Sequence, residues 1–167
     1  MLCLGIDPGI GRVGFGYVDE EGGELSGLAF GCIDTDPDLS VQDRLNMIYD
    51  EIKNHINTIR PDVLAMERLF FGQNLTTAEN VWQARGVILL LAAQERLPIV
   101  EPTPSQVKMA VCGYGKASKS QVQEMVKCIL SLESVPKPDD AADALAIAIA
   151  GLSLWRIERL RECRNEG

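Results

Sequence analysis

At 167 residues the chain is long enough for one well-buried core and too short for two full domains. A hydrophobic share of 46% and a charged share of 24% are those of an ordinary globular protein, and no apolar run reaches the roughly 18 residues that a membrane span requires. The net charge of −8 runs against the basic surface expected of a nucleic-acid protein, but residues 17–51 hold ten acids against Arg44 alone, whereas residues 102–127 hold four lysines against one acid, Glu124.

In chain order, residues 2–6 form a short apolar run ending at Asp7-Pro8-Gly9, which reads as a buried strand followed by a turn. Residues 13–18 and 25–33 read as two more strands, with Glu21-Gly22-Gly23 as the hairpin between them. Ser40 then caps a helix whose apolar positions, Val41, Leu45, Ile48, Ile52, Ile56 and Ile59, recur at three- and four-residue steps until Arg60-Pro61 stops it. Residues 62–66 give a further buried strand that again ends at an acid, Glu67. A loop over 68–75 leads to a long helix, capped by Thr76 or Thr77 and running to about Arg96.

Residues 98–100 supply another strand, and 104–112 and 118–132 read as helices joined by Gly113-Tyr114-Gly115. Pro136 and Pro138 precede a last helix that starts at Asp139 or Asp140. Strands first, then alternating helices and strands, predict an α/β fold. Its mixed sheet would open antiparallel and continue through helical crossovers. The chain opens directly on a strand-like segment with no basic leader, which sets the expectation of a cytoplasmic protein.

Asp7 and Glu67 each end a strand, and the carboxyl ends of parallel strands line the ligand crevice of open α/β sheets. Asp140 and Asp143 stand three residues apart at a helix start, hence on one face, and the alanines around them permit close packing on a sheet. Four carboxylates gathered together repel one another unless cations accompany them. Oxygen donors without Cys or His point to Mg²⁺, with Mn²⁺ as a substitute, and two such ions suit phosphodiester hydrolysis. The five cysteines, Cys3, Cys32, Cys112, Cys128 and Cys163, contain no CxxC pair, which argues against a disulfide framework or a zinc site. His55, the single histidine, lies inside an amphipathic helix with no orienting partner nearby and is not expected to be catalytic.

The motifs are specific when taken in order. Leu4-Gly5-Ile6-Asp7-Pro8-Gly9 is followed by Gly14-Phe15-Gly16, by Ala65-Met66-Glu67 with Phe70, and by Gln83-Ala84-Arg85-Gly86. Asp140-Ala141-Ala142-Asp143-Ala144-Leu145-Ala146 completes the set. Together they resemble the RuvC family, the bacterial Holliday-junction resolvases, over nearly the whole chain. That resemblance implies a single ribonuclease-H-like domain over residues 1–157, followed by a helical or disordered extension over 158–167. It also implies a homodimer that makes paired symmetric nicks in four-way junction DNA during recombination and repair, alongside the branch-migration proteins RuvA and RuvB.

By position, Asp7, Glu67, Asp140 and Asp143 become the catalytic, metal-holding acids; Asp139 has no counterpart. Lys108 and Lys119 match basic residues near the scissile phosphate, Lys119 with a catalytic share, and Lys116 fits the same patch as a phosphate contact. Phe70 and Phe71 are placed to meet junction bases. Gly86, costly within a helix, calls for a close approach of another element. Arg85 stands open between a DNA contact and an acidic partner. The apolar run 87–93 suggests burial on both sides. Two other readings carry less: an RNA-processing nuclease of the same superfamily, and an actin-like nucleotide-binding phosphotransferase, which needs a second lobe and a second glycine-rich loop. A catalytically silent DNA-binding module would not need all four acids.

Overall fold

In a computed structural model, residues 1–68 and 75–165 are described, with side chains over 1–68 and 79–161. Phe70 and Phe71 therefore lie outside the described residues. β1 (Leu2–Asp7) pairs antiparallel with β2 (Arg12–Glu21), which pairs antiparallel with β3 (Glu24–Asp34). On its other side β1 runs parallel to β4 (Val63–Met66), and β4 runs parallel to β5 (Ile99–Val100). The sheet order is β3-β2-β1-β4-β5, the mixed arrangement that the element order predicts.

Helices cover both faces. One face carries α1 (Val41–Ile59) and α2 (Leu75–Gln94), which bring Ile48, Ile52, Ile56, Ile88 and Leu91 onto Leu4, Ile6, Tyr17 and Met66. The other carries α3 (Pro104–Cys112), α4 (Lys119–Ile129) and α5 (Asp139–Asn165). α5 crosses residue 157 without a break, so residues 158–165 continue that helix.

The caps explain most boundaries. Ser40 accepts from the Asp43 amide to open α1, while Thr103 with Gln106 and Ser118 with Gln121 form capping boxes on α3 and α4. α2 begins at Leu75, so Thr76 and Thr77 lie within it rather than capping it. It stops at Gln94, two residues short of Arg96, because Arg96 turns left-handed (φ 55°) and the Leu97 amide closes back on Ala92. α4 ends early in the same way, with Ser131 at φ 51° and the Leu132 amide on Lys127.

α5 lies unusually close to the sheet. A Cβ on Gly5 would collide with the Ala144 carbonyl oxygen, and one on Gly14 with that of Asp140. Glycines in the strands and alanines in the helix thus let backbone rest on backbone, which sets the acids of α5 beside the end of β1.

Candidate active site

Asp7 closes β1 and Glu67 follows the last residue of β4, so the parallel pairing of these strands brings both acids to one edge. Asp143, one turn into α5, completes the wall, and Lys108 from α3 and Lys119 from the start of α4 face them. These five side chains line one cleft of about 290 Å³, floored by Val107, Val122 and Ile147. Lys119 Nζ lies 2.9 Å from the Asp143 carboxylate and 3.6 Å from that of Asp139. Asp139 therefore helps to hold Lys119 at the cleft mouth.

Asp140 stands slightly apart. It does not line the cleft, and its carboxylate faces Arg12 at 3.8 Å; Arg12 is bonded more closely, at 2.6 Å, to Asp34. Its charge nevertheless reaches Asp7. Burial first, and then Asp143, Asp140 and Glu67, push the Asp7 carboxyl up to about 7, against the opposing pull of Lys119. Burial and Asp143 also raise Glu67, partly offset by Lys108. Lys119 is raised in turn, chiefly by its hydrogen bond to Asp143.

Among the described residues no three acids form a ready-made metal cage. Lysine and arginine occupy the carboxylates instead, with Lys119 on Asp143 and Arg12 near Asp140. The donor set still fits a hard divalent cation. Burial and three neighbouring negative groups together raise the Asp7 carboxyl to about 7, and a cation bound there relieves the repulsion part of that shift.

Other expected residues fall elsewhere. Lys116 is exposed in the α3–α4 loop and does not line the cleft. His55 packs against Phe15 and Tyr17 on the α1 face, with ring centroids 4.3 and 6.0 Å away. Cys3, Cys32, Cys112 and Cys128 are free thiols.

The close approach expected at Gly86 is not made among the described residues: the glycine is exposed, and none of them lies within 4 Å of where its Cβ would stand. The 87–93 run is likewise buried on one side only. Ile88, Leu91 and Ala92 face the core, and Leu90 is 56% exposed.

Two residues of the surroundings escaped the sequence reading. Arg12 becomes visible only through the β2–β3 register that sets it opposite Asp34. Glu101 carries the same signal as Asp7 and Glu67, an acid just past a strand end, and that signal could have found it. It pairs with Arg85 rather than lining the cleft.

The family model for crossover junction endodeoxyribonuclease RuvC matches residues 3–151. The chain belongs to the RuvC family. The crossover junction endodeoxyribonuclease RuvC of Halothermothrix orenii is 50% identical over 159 residues, covering 95% of this chain and 96% of the relative. That of Brevibacillus brevis is 54% identical over 149 residues, covering 89% and 90%. A solved structure described as Thermus thermophilus RuvC in complex with Holliday junction substrate superposes with a TM-score of 0.89 at 34% identity, covering 95% of this chain and 96% of that one. The sheet is accordingly the ribonuclease-H-like sheet of the RuvC family, and the phosphotransferase reading falls away.

Proposed function

We propose that the chain is a structure-selective endonuclease that resolves four-way DNA junctions by paired symmetric nicks in recombination and repair. The observation that carries this reading is the half-buried Asp7 carboxyl, with Glu67 and Asp143 in the same cleft, Asp140 close enough to act on its charge, and Lys108 and Lys119 facing it, in a chain of the RuvC family. The junction complex of the Thermus thermophilus relative supports the choice of substrate.

Asp7, Glu67, Asp140 and Asp143 would hold magnesium, two ions per site, with manganese able to replace it. Bound there, the metal supplies an activated water and stabilises the charge of an in-line displacement at phosphorus. The chain's own groups do the rest. Lys108 and Lys119 bind non-bridging phosphate oxygens and favour the charge that develops on them. Lys119 leaves Asp143 for the phosphate as DNA enters, which frees that carboxylate. Val107, Val122 and Ile147 keep the cleft floor dry. Lys116, exposed in the α3–α4 loop, serves as a peripheral phosphate contact, and Phe70 and Phe71 meet junction bases.

The chain acts as a homodimer, so that two clefts meet two strands. One face of α2 fits a second copy: exposed Trp82, Gly86 and Leu90 recur every four residues, and the open space over Gly86 admits a close helix neighbour. RuvA and RuvB are the partners this reading implies, and the cytoplasm is where it places the protein.

The deciding experiment incubates the protein and Mg²⁺ with a four-way junction, a linear duplex, an RNA–DNA hybrid and a structured RNA. Symmetric paired nicks confined to the junction are expected; preferential cutting of RNA would overturn the substrate assignment.

A further inference from the structure

Glu67 lies one residue beyond the last ladder pair of β4, Ile6 with Met66, so the sheet does not by itself hold this part of the main chain. Two hydrogen bonds do. The Glu67 carbonyl accepts from Arg85 Nη1 at 2.8 Å, and the Arg68 amide donates to the Pro102 carbonyl at 2.8 Å. The second terminal nitrogen of Arg85, Nη2, bonds the carboxylate of Glu101, the residue before Pro102. One guanidinium thus ties the exit of β4 to the exit of β5. Its planar fork suits two acceptors set side by side, which a lysine ammonium on a flexible stem does not reproduce.

Arg85 is only 4% exposed, with its guanidinium carbon 5.9 Å from the Trp82 ring centre, so it is not presented to a nucleic acid backbone. Burial, with Arg68 nearby, lowers its pKa, yet a guanidinium stays charged in a protein. A buried ion pair alone is weak grounds for a role, because apolar residues often replace one without loss. Here the same side chain also fixes the carbonyl of a residue in the cleft wall.

We propose that Arg85 is a positioning residue that sets the Glu67 carboxylate in the active site by clamping the main chain between β4 and β5. This rests on the reading of Glu67 as a catalytic acid. Arg85 touches neither substrate nor metal; it acts through the backbone.

The test uses the full chain with Arg85→Lys and Arg85→Gln, measuring junction affinity in EDTA, kcat and KM with Mg²⁺, thermal unfolding, and hydrogen exchange at the Arg68 amide. Affinity and KM are expected to stay within about twofold while kcat falls roughly 10- to 100-fold, as for a misplaced catalytic group. Arg85→Lys keeps a charge opposite Glu101, so it should recover melting temperature over Arg85→Gln but not kcat, and Arg68 exchange should quicken in both. A raised KM with kcat kept would make Arg85 a DNA contact and overturn the proposal, as would full recovery of kcat by lysine.

Should Arg85→Gln not fold, Glu101→Ala retains the arginine while removing its acceptor at the exit of β5. Wild-type exchange at Arg68 together with wild-type kcat in that variant would also overturn the clamp. Wild-type protein that leaves junctions uncut would overturn the proposed function instead, with Arg68 exchange still reporting on the clamp.

Discussion

The two faces of the sheet are packed on different principles. Beneath α1 and α2 the contact is a layer of large side chains, Ile48, Ile52, Ile56, Ile88 and Leu91 over Leu4, Ile6 and Tyr17. Beneath α5 it is main chain against main chain, with Gly5 and Gly14 facing the carbonyls of Ala144 and Asp140. A layer of flexible aliphatic groups absorbs small shifts by changing rotamer. Two backbones in contact do not. The face that carries Asp140 and Asp143 is thus the face on which the distance to β1 is least adjustable. Placement of charge is set by backbone there, while each face carries its own buried apolar core.

The sharpest way to separate these roles is Asp7→Asn. Cleavage of a four-way junction should be abolished while junction binding in EDTA persists; undiminished cutting would remove Asp7 from the site. The metal-free variant should also melt higher than wild type, because a half-buried carboxyl near three like charges is gone.

Next in size is the packing contrast itself. Gly5→Ala must push α5 off the sheet and should cost about 3 kcal/mol in denaturant unfolding, against about 1 kcal/mol for Ile52→Val on the opposite face. Equal losses would erase the distinction between the faces.

The smallest effect is a pH slope. A carboxyl whose pKa is higher in the folded than in the unfolded state binds its proton more tightly when folded. Asp7, raised to about 7, therefore costs stability progressively as pH climbs from its ordinary range to about 7, and the cost is complete above that. The melting temperature of metal-free protein should fall across that window relative to Asp7→Asn, and adding Mg²⁺ at pH 8 should restore it. Parallel profiles for the two proteins would contradict the assignment.

Much of this was legible in the sequence because local chemistry marks it. Ser40 and the steps from Ile48 to Ile56 announce α1, and Asp7 and Glu67 announce a crevice because each follows a short apolar run. What was lost depends on tertiary register. Nothing in the residue type of Arg96 or Ser131 signals a left-handed turn, so α2 and α4 were read too long. The choice left open at Arg85 needed the fold, since Glu101 lies 16 residues away and meets it only where β4 and β5 pair. Gly86 calls for a close approach of another element, but a glycine's own sequence does not say which molecule supplies it.

The edges of the sheet differ as much as its faces. β5 ends it with two residues, whereas β3 presents eleven, a length that would accept another strand and seed edge-to-edge aggregation. Two features oppose this. The β2–β3 register shifts at Tyr17 and Val18, leaving Leu28 outside the ladder and 58% exposed, and such a bulge twists a strand away from a flat template. The strand itself carries an acid at each end, Glu24 and Asp34, and no base, so a second copy approaching strand to strand meets its own negative charge. The acidity that looks misplaced in a DNA enzyme keeps its longest open strand from finding another like it.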